Sequence, residues 1–379
     1  MSNNYFDNAS TTKMSEGALK VYSEVALTYY ANPSSSHKEG RLAHSYLNKQ
    51  REKTSSLLGI PLESVIYTSG ASESNSIILT SLLWKRRKGR IVVSALEHPS
   101  ISQFRVFFEE RGFEWIYVKA PFGVIDTEDL ANKITHNTLM VISMLTHNVF
   151  GSIQPIEEIK KIIKQKESEY SHHIHFHVDC AQAIGKLEFS LAQLDCDSAS
   201  MSAHKIEGPR GIGLLFLKQG SLVKPLSRGG NQEMGMRGGT ENLPAISAFN
   251  YALNESITHL DSSIKKVDQL YKVLEHEVKG MRGVEILRNE KNNYVNSIVA
   301  LSHISIPSEV ITRVLDDKGF SISSTSACSN NSHSSHPFHP FITGFRPELL
   351  KGAFRISWNS HHEKEDIIHL CAAIKEITS

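Results

Sequence analysis

The sequence has few cysteines and no long apolar run. Its 379 residues include four cysteines, and they form neither a C-x-x-C pair nor the dense spacing of a secreted disulfide framework. No apolar stretch is long enough to span a bilayer, and the N-terminus lacks the basic and apolar regions of a targeting signal. These absences predict a soluble, cytoplasmic protein with free thiols and no membrane partner.

The chain also lacks an excess of charge of either sign. Its formal net charge is +1, and 21% of its residues are charged, whereas a nucleic-acid-binding surface requires a basic excess. No nucleic-acid partner is therefore expected, and small-molecule chemistry fits better. The length suffices for one large α/β domain and a smaller one.

Histidine, in contrast, is abundant, with 19 residues. The histidines include two groups, one at His172, His173, His175 and His177 and one at His333, His336 and His339. On a strand, three alternate positions of the first group would share one face but spread over about 13 Å, too far for all three to bind one ion. The second group lacks an obvious ligand set, so no metal site is predicted.

Short apolar runs alternate with helical patterns in the first two thirds of the chain. The runs lie at 91–95, 115–118, 139–145, 174–178 and 212–217, and the clearest helical patterns lie at 37–58 and 155–166. Such alternation predicts a parallel sheet covered by helices. After Pro244 the pattern changes to a long helix through Lys279, strands at 297–302 and 354–357, and a helix at 363–377. This change predicts a separate smaller domain.

The segment SAHKIEGPRGIG, at 202–213, places Lys205 behind Ser202 and His204 and ahead of a Gly/Pro-rich turn. A lysine amine can form a Schiff base with a carbonyl cofactor such as pyridoxal phosphate (PLP), and Ser202 and His204 are close enough in sequence to contact its phosphate. Most lysines before turns are simply solvated. The segment alone therefore leaves both interpretations open.

Three other segments contain residues that suit the same cofactor. Asp179 follows a predicted strand, where a carboxylate can keep a pyridine nitrogen protonated, and Gln182 lies nearby. The motif TSGASESN is typical of a helix start that binds phosphate, with small residues at Ala71 and Ser72. His98 can stack on a ring and move protons. Each residue has an ordinary alternative as a cap or a loop residue.

Taken in order, these motifs resemble those of the NifS/IscS-like cysteine desulfurases, PLP enzymes of the class V aminotransferase superfamily with the aspartate aminotransferase fold (fold type I). The resemblance covers nearly the whole chain, through YFDNASTT, TSGASESN, EH at 97–98, HVDCAQAIGK, SAHK, GGNQEMGMRGGTENLP and STSACSN. It implies a large α/β domain with a mixed, mostly parallel sheet at 12–250. It also implies a smaller α+β domain from 1–11 and 251–379, carrying a catalytic-cysteine loop at about 324–345.

The resemblance also implies a role for each site residue. Lys205 would be the Schiff-base lysine and the base, Asp179 the partner of the pyridine nitrogen, Gln182 a contact of the ring hydroxyl, and His98 a stacking proton carrier. The phosphate would be held by Ala71, Ser72, Ser202 and His204, and Thr240 would reach the phosphate of the other subunit in a homodimer. Asn148, beside the cofactor, and Arg355 would bind the substrate carboxylate, Arg355 through a bidentate pair.

Cys328 is similar to the family's nucleophile. Its thiolate would attack the sulfur of L-cysteine, with His98 as a possible proton acceptor, and leave L-alanine and a persulfide on Cys328. The Ser/Asn/His-rich segment that follows would form a flexible loop. That loop would carry the sulfur to an acceptor protein, either an iron–sulfur scaffold or a thiolation enzyme.

Two alternatives to this function stay open at the level of the sequence. The motifs do not separate a cysteine desulfurase from a selenocysteine lyase or a related PLP-dependent lyase. A non-catalytic sulfur-transfer or interaction protein of the same fold is suggested by two departures from the family pattern. Val149 replaces a common Glu beside the ring, and Thr325 replaces a common Gly before the Cys328 motif.

Overall fold

The computed structural model describes residues 3–225, 229–324 and 338–378. Cys328 and Thr325, together with most of the predicted loop at 324–345, lie outside these ranges. Within them, no helix is long and apolar enough to cross a membrane.

A seven-stranded sheet forms the centre of the larger unit. Its strands are β1 (Val65–Thr68), β2 (Arg90–Ser94), β3 (Glu114–Val118), β4 (Thr138–Met144), β5 (His175–Asp179), β6 (Ser198–Ser202) and β7 (Gly213–Leu217). The spatial order is β1-β7-β6-β5-β4-β2-β3, and β7 runs in the opposite direction to the other six strands. The predicted mixed, mostly parallel sheet is confirmed, and the five predicted strands are shifted by at most one residue.

Both faces of this sheet are buried, as the continuous apolar runs predict. On β2, Val92 packs into one hydrophobic cluster, whereas Ile91 and Val93 pack into another. Alternate side chains of a strand point to opposite faces, so the two clusters lie on the two sides of the sheet.

Thirteen α-helices are present in the described ranges. They are α1 (Glu16–Thr28), α2 (Lys38–Leu58), α3 (Ala71–Ser81), α4 (Pro99–Ser102), α5 (Phe104–Glu109), α6 (Thr127–Lys133), α7 (Ile156–Tyr170), α8 (Leu191–Leu194), α9 (Leu243–Thr258), α10 (Leu260–Lys279), α11 (Ser308–Asp317), α12 (Pro347–Lys351) and α13 (Lys364–Thr378). Helix α2 ends as predicted at Gly59, whose φ of 62° is left-handed. Helix α7 continues four residues beyond the predicted end, because Tyr170 still packs against the core.

The single long helix predicted over 244–279 is wrong. The structure has two helices, α9 and α10, separated at His259, whose φ of −101° and ψ of 9° are not helical. Helix α9 packs against α1 and α2, whereas α10 packs against α13. The two helices therefore belong to different parts of the core.

A second, antiparallel sheet forms the core of the smaller unit. It contains β8 (Val284–Ile286), β9 (Ile298–His303), β10 (Ser323–Ser324) and β11 (Ala353–Ser357), in the order β10-β11-β9-β8. The N-terminal segment joins it, since Phe6 is fully buried in its hydrophobic cluster and Asp7 forms a bridge with Ser357. The division of the chain near residue 250 stays a prediction.

Candidate active site

The predicted site residues lie where parallel strands of the large sheet end. Asp179 is the last residue of β5, Lys205 follows β6, His98 follows β2 and Asn148 follows β4. The carboxyl ends of adjacent parallel strands form the usual ligand-binding edge of such a sheet. The fold therefore brings these four residues to one edge.

Both carboxylate oxygens of Asp179 accept hydrogen bonds. Asn75 Nδ2 donates to Oδ2 at 3.0 Å, and the Ala181 N–H donates to Oδ1 at 2.9 Å. The side chain of Asp179 is also buried, with 6% of the residue exposed. These contacts fix the orientation of the carboxylate.

Two buried residues behind Asp179 were missed by the sequence analysis. Asn75 presents Oδ1 to His177 Nε2 at 2.9 Å, and His177 Nδ1 lies 2.8 Å from Ser198 Oγ. Burial lowers the pKa of His177 to about 3, so its ring is neutral and donates from Nε2. A sequence signal existed, because His177 lies two residues before Asp179 on the same strand face, and Asn75 ends the motif TSGASESN.

Lys205 and Gln182 share one acceptor in the N-terminal segment. Lys205 Nζ donates to the carbonyls of Ala9 at 2.6 Å and Ser10 at 2.8 Å, and Gln182 Nε2 donates to the Ala9 carbonyl at 2.8 Å. Gln182 Oε1 is buried and has no hydrogen-bond partner among the residues that the structure describes. Such an orphaned acceptor is unfavourable unless a ligand satisfies it.

His98 is connected to Asp179 through two polar side chains. Its Nδ1 accepts from the Ser100 N–H at 3.1 Å and lies 2.9 Å from Ser100 Oγ. The same Oγ accepts from Asn75 Nδ2 at 2.9 Å. Because Nδ1 is an acceptor, the neutral ring of His98 carries its proton on Nε2. Desolvation lowers the pKa of His98, Asp179 opposes this shift, and Lys205 adds to it.

The start of α3 has the features of a phosphate site. No side chain caps its first turn, and the preceding Gly70 has a φ of 155°. Ser202 Oγ would lie 3.5 Å from a Cβ atom at Gly70, and Ser72 is exposed in the first turn. A helix N-terminus with open N–H groups and neighbouring hydroxyls suits an anion.

Two of the predicted phosphate contacts have other partners. His204 Nδ1 lies 3.1 Å from Thr11 Oγ1, and Asn32 Nδ2 donates to Thr240 Oγ1 at 3.4 Å. In the described ranges, neither residue is hydrogen-bonded to Ser202. Their roles toward the phosphate stay predictions.

Arg355 is held in place by groups from two other segments. One terminal nitrogen, Nη1, donates to the backbone carbonyl of Asn148 at 2.9 Å. The other, Nη2, donates to Asp7 Oδ1 at 2.5 Å and to Ser10 Oγ at 2.7 Å. Nε is buried and has no hydrogen-bond partner in the described part of the chain. Asn148 and Arg355 are thus brought together, and their binding of a substrate carboxylate stays a prediction.

Residues 147 and 149, which depart from the common pattern, have structural contacts. His147 Nδ1 accepts from the Phe150 N–H at 3.0 Å, and its ring stacks on Phe150 at 4.8 Å between centroids. Burial and the charge of Arg355 lower the pKa of His147 to about 3, so this histidine does not carry a proton near neutral pH. Val149 is buried in the core.

The three cysteines in the described ranges are free and buried. Burial raises the pKa of Cys196 and of Cys371 to about 12 and that of Cys180 well above its usual value. None of the three is therefore a thiolate at neutral pH. The assignment of the nucleophile to Cys328 lies outside the described residues.

Known proteins resemble this chain over nearly its whole length. The aminotransferase class-V family matches residues 4–370. A NifS/IcsS protein homolog from Lactobacillus delbrueckii subsp. bulgaricus is 35% identical, covering 98% of this chain and 96% of the relative. Cysteine desulfurase IscS from Dictyoglomus turgidum is 30% identical, covering 98% and 94%. A solved NifS-like protein has a TM-score of 0.88 at 29% identity, covering 98% of both chains.

Proposed function

This chain belongs to the aminotransferase class-V family, and from that membership we propose that it is a PLP-dependent cysteine desulfurase. It removes sulfur from L-cysteine and releases L-alanine. Relatives of matching length carry that name. The structural observation that supports it best is the meeting of Lys205, Gln182, Asp179 and His98 at one edge of the sheet.

The residues at this edge fit PLP. Lys205 supplies the amine that would hold its aldehyde, and Gln182 Oε1 is a buried polar atom without a partner in the ranges 3–225, 229–324 and 338–378. Asp179 would face the pyridine nitrogen, and the uncapped start of α3 beside Ser202 would receive the phosphate. When bound, PLP supplies an electron sink for the charge that develops on the substrate α-carbon.

Lys205 and His98 are placed to move protons. The carbonyls of Ala9 and Ser10 orient the Lys205 amine, which would remove the α-proton of L-cysteine. The lowered pKa of His98 favours its neutral ring, whose proton lies on Nε2 because Nδ1 accepts from the Ser100 N–H, so Nε2 can donate that proton during the reaction. Arg355, beside Asn148, would bind the substrate carboxylate.

Cys328 would accept the sulfur. Its thiolate attacks the substrate sulfur, forming a sulfur–sulfur bond while the carbon–sulfur bond of the substrate breaks. The electron pair of the broken bond stays with the carbon fragment, which takes up protons and leaves as L-alanine. The terminal sulfur of the resulting persulfide is then available to an acceptor protein of iron–sulfur cluster assembly or of a thiolation pathway.

The test replaces the proposed nucleophile. Cys328→Ala should keep the bound yellow cofactor and lose L-alanine formation and sulfide release from L-cysteine in the presence of a reductant. Cys371→Ala, which changes a buried thiol, should keep both activities and serves as the matched control. Mass spectrometry after incubation with L-cysteine should find one added sulfur on Cys328. Undiminished activity in Cys328→Ala would contradict the proposal.

We further infer a homodimer with shared active sites. The family resemblance implies that Thr240 reaches the phosphate of the second subunit, and within its own chain Thr240 Oγ1 accepts only a long hydrogen bond of 3.4 Å from Asn32 in the described ranges. Sedimentation velocity should find a dimer. Thr240→Ala should weaken PLP binding without dissociating the dimer. A wild-type protein that sediments as a monomer, or a Thr240→Ala variant that binds PLP as tightly as the wild type, would contradict this inference.

A selenocysteine lyase is the second candidate function, because the same residues suit both substrates. The two are separated by comparing L-alanine formation from L-cysteine and L-selenocysteine. Desulfuration that depends on Cys328 supports the cysteine desulfurase. A colourless protein that does not take up PLP would instead support a non-catalytic sulfur-transfer protein.

A further inference from the structure

A group of possible metal ligands lies at the amino ends of β5 and β6. His173, His175 and Asp197 each place one ligand atom within 4.8 Å of the others. His175 is the first residue of β5, whereas Asp179 is the last. The group therefore lies about 13 Å along the strand from Asp179, at the sheet edge opposite the active site.

A hydrogen bond to Glu167 orients His173. Nδ1 of His173 lies 2.6 Å from Glu167 Oε1, and because a carboxylate only accepts, Nδ1 carries the proton. Nε2 then faces Asp197 Oδ1 at 3.3 Å. This contact needs either a second proton on the ring or a cation between the nitrogen and the carboxylate oxygen, and a bound metal ion would take the place of that proton. Metal-bound histidines commonly donate their other N–H to a carboxylate in this way.

The chain of hydrogen bonds behind Asp179 sets the proton position on His175. Ser198 Oγ lies 2.8 Å from Nδ1 of His177 and 2.8 Å from Nε2 of His175. His177 donates from Nε2 to Asn75, so its Nδ1 must accept the Ser198 proton, and Ser198 must accept from His175 Nε2. A neutral His175 ring that donates from Nε2 keeps a lone pair on Nδ1, which it can offer to a cation.

Asp197 completes the group with a fixed carboxylate. It is 5% exposed, and its Oδ2 accepts from the Phe176 N–H at 2.7 Å, which leaves Oδ1 toward His173. Two ligands of a tetrahedral zinc ion lie about 3.4 Å apart, close to the 3.3 Å between His173 Nε2 and Asp197 Oδ1. The His173 side chain is 59% exposed, so its ring has room to close on an ion.

We propose that His173, His175 and Asp197 bind a divalent cation of the Zn²⁺ type, with water completing the coordination. Two imidazoles and one carboxylate suit Zn²⁺ and its transition-metal neighbours better than Mg²⁺ or Ca²⁺. His177 takes no part, since both its nitrogens are hydrogen-bonded. This agrees with the spacing along the strand, which places His173, His175 and His177 too far apart to bind one ion together. The third ligand comes instead from Asp197, which precedes the neighbouring strand β6.

The zinc content of the PLP-loaded enzyme tests this proposal. After equilibrium dialysis against Zn²⁺, His173→Gln and Asp197→Asn should each hold one zinc fewer per chain than the wild type. His136→Gln, which changes an exposed histidine outside the group, should match the wild type. Cys328 and the histidines near it can bind zinc of their own, so the difference between proteins is the readout. Equal zinc content in the wild type and His173→Gln would overturn the proposal.

Anomalous X-ray scattering at the zinc edge gives an independent result. A peak between His173, His175 and Asp197 supports the site, and no peak there overturns it, whatever peaks occur elsewhere. Thermal unfolding with a chelator checks the variants, and His173→Gln should still fold because the His173 side chain is 59% exposed. If Asp197→Asn fails to fold, His173→Gln alone decides the outcome.

Discussion

The amide side chain of Asn75 helps to orient Asp179. Asn75 Nδ2 is one of two N–H donors to the carboxylate, and it also reaches Ser100 beside His98. Asn75→Ala should weaken PLP binding by roughly tenfold to a hundredfold, because a hydrogen bond to a charged group contributes about 1.5–3 kcal/mol. Titration of the apoenzyme with PLP measures the change. Ser76→Ala in the same helix is the control, and equal PLP affinity in Asn75→Ala would contradict the expected role.

Glu97 is a buried carboxyl group near Asp179. Burial, and next the charge of Asp179, raise the pKa of Glu97 well above its usual value, and Oε1 accepts from the Met144 N–H at 2.6 Å. The folded state therefore keeps a proton that the unfolded state loses at lower pH. Between the unfolded and folded pKa values, this group makes the folded protein less stable as pH rises.

Glu97→Gln removes that dependence, because the amide is neutral at every pH and keeps an oxygen acceptor. The variant should gain stability relative to the wild type as pH rises from about 5 to about 8. Urea unfolding of both proteins at the two pH values measures the difference, and all other titrating groups cancel in the comparison. A stability difference between the two proteins that stays constant over this range would show that Glu97 is ionised in the fold.

Single residues with reactive side chains could be predicted from the sequence, but their supporting partners could not. Lys205, Asp179 and His98 stand in recognisable motifs at strand ends, and the structure brings them to one edge. Asn75 supports Asp179 from a different element, and Ala9 contributes only a backbone carbonyl, which is the same in every residue type. A sequence pattern contains no direct record of either contact.

At the scale of elements, an ion pair holds the segment that carries Thr240. Arg51 of α2 pairs with Glu233 at 2.8 Å, with side-chain exposures of 9% and 2%, and Glu233 Oε2 also accepts from the Tyr67 N–H of β1 at 2.7 Å. Glu233→Ala should destabilise the protein by about 3–5 kcal/mol, because it leaves a buried guanidinium without its partner. Chemical denaturation measures this, with the exposed Glu290→Ala as control. A loss no larger than the control's would mean that Arg51 finds another acceptor.

Elements were predictable where a local pattern determines them. The strands follow short apolar runs, and α2 ends at a glycine that adopts a left-handed φ. The break at His259 has no such mark, because neither proline nor glycine lies there and helical sequence patterns continue on both sides of it. It arises from packing, since α9 packs against α1 and α2 whereas α10 packs against α13.

At the scale of the whole molecule, the N-terminal segment connects the two sheets at the active site. Asp7 forms a bridge with Ser357 of the small sheet. Ala9 accepts hydrogen bonds from Lys205 and Gln182, which follow strands β6 and β5 of the large sheet. The sequence motif YFDNASTT marks this segment through the family resemblance. Its physical role could not be predicted, because its partners lie about 170 to 350 residues away.

The same segment places a negative charge beside the proposed carboxylate-binding arginine. Asp7 accepts from Arg355 Nη2 at 2.5 Å, and the two side chains are 20% and 4% exposed. A substrate carboxylate that binds Arg355 would therefore be repelled by Asp7. Asp7→Asn keeps an oxygen that accepts from Arg355 but removes the charge.

Asp7→Asn should thus bind the product L-alanine more tightly, by roughly tenfold for charges several ångströms apart at an effective dielectric constant of about 20. It should also lose about 1 kcal/mol of stability, because its hydrogen bond to Arg355 then has one charged partner instead of two. Spectroscopic titration of the PLP-loaded enzyme with L-alanine measures the first effect, and urea unfolding measures the second. Arg355→Lys should weaken L-alanine binding in the same titration. If Asp7→Asn weakens binding at unchanged PLP content, Asp7 acts by orienting Arg355, and the repulsion is the smaller effect.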